Sequence, residues 1–180
     1  MITVLLADGF EEVEALMPLD LLRRAGLDAR TVAVGSKIAV GSHGIPVICD
    51  MSAEEVDLSE VSMVILPGGM PGALNLDASP FVDTAVISCL ERGGRVGAIC
   101  AAPLVLGRRG LLDGRRAVCY PGFETELRGA TVENTPVVTD GQITTARGMG
   151  AAAEFAKELL SLTVGKERAE DIFSSALIKL

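Results

Sequence analysis

The sequence predicts an α/β domain built on a mostly parallel sheet covered on both faces, and three observations predict it. Short β-rich runs alternate with helical stretches from one end of the chain to the other. The runs are continuously apolar instead of alternating, as strands buried on both faces are. Glycine- and proline-rich turn signals close many of them. At 180 residues the chain is long enough to bury an ample core as one domain. No internal repeat, low-complexity tract or linker-like shift in composition divides it, so residues 1–180 are read as a single domain.

The elements follow in order. Residues 2–7 (ITVLLA) form a buried strand, and residues 11–25 an amphipathic helix closed by Gly26. Residues 31–34 are a second strand. Residues 38–49, interrupted by Gly41-Ser42-His43-Gly44, form a hairpin excursion. Residues 61–66 make a strand that ends in Pro67-Gly68-Gly69. A helix over 81–92, a strand over 96–99 and a helix over 103–112 come next. Further strands cover 117–120, 132–133, 137–139 and 143–146, and two helices, 150–164 and 167–178, close the chain. Ligands in such sheets sit beyond the carboxyl ends of the strands. Three features occupy such ends and are expected to meet in space: residues 8–14, residues 67–72, and Cys100.

Composition narrows the function. A formal net charge of −8 and the absence of any basic run argue against a nucleic-acid surface. No stretch approaches the roughly 18 apolar residues of a membrane span. Asp8 interrupts the N-terminal apolar run too early for a signal peptide. Four cysteines (Cys49, Cys89, Cys100, Cys119) are widely spaced, and with a single histidine no zinc-ligand pattern exists. That usage fits a reducing, cytoplasmic setting with free thiols, at least one of them chemically active.

Cys100 is the candidate. In Arg95-Val96-Gly97-Ala98-Ile99-Cys100-Ala101-Ala102-Pro103 an apolar strand runs into a cysteine that opens a helix. A thiol over a helix N-terminus meets unpaired N–H groups and the macrodipole, which favour the thiolate. The turn is sharp, so the residues two before and two after must be small, and they are Ala98 and Ala102. A packed core cysteine is the competing reading of this segment.

Two neighbours complete the candidate site. Glu11-Glu12-Val13-Glu14 opens the first helix, where acids complement the dipole. Glu14 lies furthest in and is least needed as a cap; a carboxyl buried beside a thiol would have a raised pKa and could pass protons to a bound carbonyl compound. Pro67-Gly68-Gly69-Met70-Pro71-Gly72 has neither G-x-G-x-x-G nor a Walker lysine. It reads either as a plain turn or as half of an oxyanion pocket, the amide of Gly69 acting with that of Ala101. Arg23 and Arg24 suit the C-terminal end of the first helix. Arg147-Gly148-Met149-Gly150 shapes a turn near the pocket.

In order along the chain, D-G-F-E-E-V-E, L-L-R-R-A-G, V-I-L-P-G-G, A-I-C-A-A-P and T-A-R-G-M-G resemble the ThiJ/PfpI superfamily, most closely the branch of YajL and the Parkinson-associated protein deglycase. The resemblance implies a flavodoxin-like three-layer sandwich and a homodimer. It also implies a reactive Cys100 with a protonated Glu14 against it, the Gly69 and Ala101 amides in the pocket, and Arg24 approaching the site of the partner subunit. It implies a cofactor-independent glyoxalase converting methylglyoxal to lactate, with deglycase activity on early glycation adducts of proteins or nucleotides described for some members. The alternative it carries is an oxidative-stress sensor or redox-regulated chaperone whose cysteine forms a sulfinate. No cofactor, metal, nucleic acid or membrane is implied. Two departures matter. Ala101 stands where PfpI-type peptidases have histidine, and Cys119-Tyr120-Pro121 stands where some relatives carry a histidine. Peptidase activity is therefore not expected. Proton transfer falls to Glu14, with Tyr120 as a hydrogen-bonding neighbour and His43 as a solvated loop residue.

Overall fold

The computed structural model describes residues 1–180. The elements are β1 (Ile2–Leu6), α1 (Glu12–Arg24), β2 (Ala29–Ala33), β3 (Ile38–Val40), β4 (Pro46–Ile48), β5 (Met51–Ser52), β6 (Met63–Leu66), α2 (Gly72–Asp77), α3 (Pro80–Glu91), β7 (Arg95–Ile99), α4 (Pro103–Arg108), β8 (Arg116–Ala117), β9 (Thr131–Val132), β10 (Val137–Asp140), β11 (Ile143–Ala146), α5 (Ala152–Val164) and α6 (Lys166–Ser175).

Seven strands form the central sheet in the order β10-β11-β7-β6-β1-β2-β5. All neighbours are parallel except β10 and β11, which are joined by the tight turn at Gly141. Fully buried β1 and β6 are continuous apolar runs, as strands covered on both faces must be. Side chains alternate between two cores. Ile2, Val4 and Leu6 of β1 face the helices α1, α5 and α6, where Leu22, Phe155, Leu159 and Phe173 pack. Leu5 faces the opposite layer with Leu76, Val86 and Leu104 of α2, α3 and α4. The result is the expected three-layer sandwich. Gly97 in the middle of β7 has a local cause: a Cβ there would lie 2.8 Å from the Phe155 ring. Truncating that ring to alanine would cost about 3–5 kcal/mol.

Several predicted elements come out shorter. The helix expected over 103–112 stops at Arg108, and the chain turns through Gly110 at φ 70°. The strand expected over 117–120 pairs only at Arg116–Ala117, with β9 and outside the main sheet. Beyond it the chain is held by single bonds, Val118 N–H to Thr145 Oγ1 at 2.9 Å and Tyr120 N–H to the Cys100 carbonyl at 2.8 Å. α1 continues through Pro18, whose missing N–H leaves the Glu14 carbonyl without its usual helical donor. No helix is long and apolar enough to cross a membrane.

The parallel register puts Leu6, Leu66, Ile99 and Ala146 at one edge of the sheet. The segments that follow them carry residues 7–14, 67–72, 100–103 and 147–151, and they converge there.

Candidate active site

Cys100 follows β7 in a left-handed conformation, φ 64°, which a non-glycine residue adopts only when its surroundings impose it. Here its N–H donates to the Ala146 carbonyl at 2.9 Å and its carbonyl accepts from Tyr120. The residue is thus clamped between β11 and the segment after β8. Ala98 and Ala102 are both fully buried, so larger side chains at those positions would not fit the turn. The outcome is an elbow with a partly exposed thiol, while Cys49, Cys89 and Cys119 are buried and unpaired.

Glu14 comes up from the first turn of α1, which is capped by the Glu11 side chain accepting the Glu14 N–H at 2.7 Å. The Glu14 side chain has no solvent exposure. Its Oε2 accepts the Gly68 N–H at 2.9 Å, and its Oε1 is buried without a partner in the rest of the hydrogen-bond network. Gly68 is where the three strand ends touch: a Cβ there would lie 2.6 Å from Cys100 Cβ and 2.7 Å from Glu14 Oε2. Burial pushes the Glu14 carboxyl up to about 7, against the lowering effect of the Cys100 and Gly68 hydrogen bonds, with the charge of Glu11 adding to the rise.

Burial also pushes the Cys100 thiol up, to about 12, and the Glu14 carboxylate beside it adds to the rise. The backbone N–H groups of Gly69 and Ala101 oppose it; neither donates to a backbone carbonyl. This corrects the expectation of a thiol lowered by a helix N-terminus. α4 has only six residues, and desolvation outweighs it. Glu14 acts on the thiol with a sign that depends on the proton. As a carboxylate it opposes the thiolate; as a carboxylic acid its Oε1 can donate to it. The two groups therefore titrate as one unit sharing a proton.

A cavity of about 480 Å³ opens onto this pair, lined by Glu11, Glu14, His43, Cys100, Tyr120, Pro121, Arg147 and residues 148–151. A second cavity of about 500 Å³ lies at the opposite edge of the sheet, around Ser62 and Arg92, and is lined by neither a cysteine nor a histidine. Of the residues singled out in the sequence, Cys100, Glu14, Gly69, Ala101 and Tyr120 are brought together. Tyr120 is half exposed, and a Cβ on Gly148 would lie 3.2 Å from its ring. Arg24, expected at the site of the partner subunit, is not at the site of its own chain. It lies at the far end of α1, paired with Asp20 at 2.6 Å and half exposed, because a 13-residue helix carries it about 15 Å from Glu14.

Two further residues join the site. The β3–β4 hairpin folds over the start of α1, tied by Gly9 N–H to the Val40 carbonyl and Ser42 N–H to the Phe10 carbonyl, each 2.7 Å. This brings His43 to the cavity wall. Glu12, which the sequence assigned to the helix dipole, is buried and holds the hairpin tip. Its Oε1 accepts the His43 N–H at 2.8 Å and its Oε2 lies 2.9 Å from His43 Nδ1. Burial would raise the Glu12 pKa, but these hydrogen bonds prevail and lower it. Glu11, Glu12 and His43 offer ligand atoms within 4.8 Å of one another, although Glu12 and His43 already bind each other. No sequence signal linked the two residues, since the contact spans 31 positions.

A parallel sheet with a clamped cysteine elbow, a buried carboxyl and two free amides at its carboxyl edge defines the class: an α/β protein that gathers a cysteine and a carboxyl at the carboxyl ends of its strands. Residues 1–162 match the DJ-1/PfpI family, and the chain belongs to that family. It is 34% identical over 178 residues to protein dj-1beta of Drosophila melanogaster, covering 97% of this chain and 95% of that one. It is 31% identical to a Pyrococcus abyssi protein named as a deglycase, covering 89% and 98%. Among solved structures, oxidized Toxoplasma gondii DJ-1 superposes with a TM-score of 0.95 at 32% identity, over 99% of this chain and 98% of the other.

Proposed function

We propose that this chain is a cofactor-independent cysteine enzyme of reactive 2-oxoaldehydes, a glyoxalase converting methylglyoxal to lactate. One observation carries the reading: a buried carboxyl that titrates near neutral pH has one oxygen left free of every partner but Cys100, the one cysteine that is not buried. A carboxyl poised at about 7 is populated in both protonation states, as a group that takes and returns a proton must be.

In this reading Cys100 sulfur bonds to the aldehyde carbon, and the thiol proton ends on the aldehyde oxygen as a hemithioacetal. The Gly69 and Ala101 amides stabilise the developing oxyanion. Glu14 removes the proton from that carbon and returns it to the adjacent carbonyl carbon through an enediol, leaving a thioester on Cys100. Water cleaves the thioester and releases lactate and the thiol. The sum is methylglyoxal plus water to lactic acid. The Pyrococcus abyssi relative is named as a deglycase, and in this reading the same carbonyl chemistry reaches early glycation adducts of proteins or nucleotides. Incubation with methylglyoxal and no glutathione, followed by proton NMR, tests the reading. Lactate from the wild type and none from Cys100→Ser supports it; lactate at an equal rate from both overturns it.

A second reading, an oxidative-stress sensor or redox-regulated chaperone with little catalysis, is favoured by the partial exposure of Cys100 alone among four cysteines and by the oxidized state of the Toxoplasma gondii relative. In either role we propose a homodimer. Ile38, Val40, Ile45 and Ile48 on the β3–β4 hairpin are 41–77% exposed, an apolar patch that a second copy would cover. Four free thiols fit a cytoplasmic setting.

A further inference from the structure

His43 is the only histidine in the chain, and its surroundings are built to orient it. Both carboxylate oxygens of Glu12 are committed to it, one to its backbone N–H and one to Nδ1. Ser42 Oγ lies 3.2 Å from the same nitrogen. Glu12 is itself 5% exposed, and no side chain larger than that of Gly41 fits against its carboxylate. A carboxylate at Nδ1 makes that nitrogen the donor, so in the neutral ring Nε2 carries the free lone pair. Nε2 has no hydrogen-bond partner in the protein, and the imidazole lines the cavity that holds Cys100.

The two candidate proton carriers occupy different ends of that cavity. Glu14 is fully buried beside the sulfur. His43 is 71% exposed at the mouth, the side from which water arrives. Resting on the thioester reading above, we propose that His43, oriented by Glu12, is the general base of the hydrolytic half-reaction. Its Nε2 takes a proton from water as the oxygen bonds to the acyl carbon. The carbon–sulfur bond then breaks, and the imidazolium returns the proton to the departing Cys100 sulfur.

Charges on every neighbouring element bear on this imidazole. Glu12 and Glu11 of α1 and its N-cap stabilise the imidazolium, and the ionised Cys100–Glu14 pair has the same sign. Arg147, after β11, is the cation on the same wall, while Ser42 and Tyr120 are neutral. Hydrogen bonding to Glu12 and its charge raise the His43 pKa. Water activation needs the neutral ring, so hydrolysis should accelerate as pH rises through the His43 titration.

The test bypasses aldehyde turnover. p-Nitrophenyl acetate acetylates Cys100 directly, and intact mass, with Cys100→Ser as control, follows loss of the acetyl group across pH. The pKa governing that loss should equal the His43 titration followed by the Cε1–H resonance of this one histidine in NMR. His43→Gln should slow deacetylation at least about tenfold and flatten its pH profile, and added imidazole should restore it in His43→Ala. Glu12→Gln should move both titrations down together. Equal deacetylation by wild type and His43→Gln overturns the proposal. Histidine-dependent deacetylation without lactate production would leave it standing and count against the aldehyde reading alone.

Discussion

Glu14→Gln isolates the energetic consequence of burying a carboxyl beside a thiol. The folded protein holds the Glu14 proton up to about 7, whereas the ordinary value is 4.5. Between those pH values the native state binds more protons than the unfolded chain, so stability falls as pH rises. The contribution is intact below 4.5 and lost once pH passes 7. That interval corresponds to about 3 kcal/mol. Glutamine keeps the shape and the Gly68 acceptor but cannot ionise, so the variant loses this dependence. Urea or thermal unfolding of both proteins at about pH 5 and pH 8 reads the difference, because titrating groups remote from Glu14 cancel in the comparison. The wild type should lose about 2–3 kcal/mol more than Glu14→Gln over that range, roughly 5–10 °C in Tm for a chain of this size. Parallel pH profiles would refute the claim that this carboxyl is held protonated by burial.

Gly68→Ala would drive a methyl into Cys100 Cβ and the Ile99 carbonyl, at 2.6 and 2.9 Å. Overpacking should cost about 1–3 kcal/mol, and displacement of the elbow should lower aldehyde turnover about a hundredfold, checked by urea unfolding and steady-state rates. Mild peroxide should add two oxygens to Cys100 before the buried Cys49, Cys89 or Cys119 reacts, as peptide mass spectrometry would report; first oxidation at a buried cysteine would contradict the site. Ile48→Asp, placed at a position 77% exposed on the hairpin, should convert a dimer to monomer in light scattering while leaving the helical circular dichroism intact.

Much of the fold was legible because its signals are local. Continuous apolar runs such as ITVLL and MVIL admit little but buried strands, and Ala98 and Ala102 flanking Cys100 encode a turn that only small residues allow. Glu14 was legible for a related reason: a third acid beyond the capping positions is surplus to a helix start. Short elements were missed or misjudged because tertiary contacts define them. β5 has two residues and exists only through β2, and the segment 118–120 is apolar yet bonds to Thr145 and Cys100 instead of a strand partner. α2 hides behind Pro71-Gly72, which reads as loop. The Glu12–His43 pair was invisible because both residues have ordinary local explanations, a first-turn acid and a hairpin tip. The pKa of Cys100 went the other way for the same reason, since burial is not a property of the nine residues around it.

In the proposed mechanism the Cys100–Glu14 pair moves a proton between adjacent carbons of a bound 2-oxoaldehyde. Turnover of methylglyoxal in D2O, with deuterium at C2 of lactate read by NMR, tests it most directly. A proton relayed through an exchangeable Glu14 carboxyl places deuterium at C2, and Glu14→Gln should form no such lactate. Lactate carrying only protium at C2, formed at equal rates by the wild type and Glu14→Gln, would mean a hydride shift that bypasses the carboxyl and would overturn the mechanism.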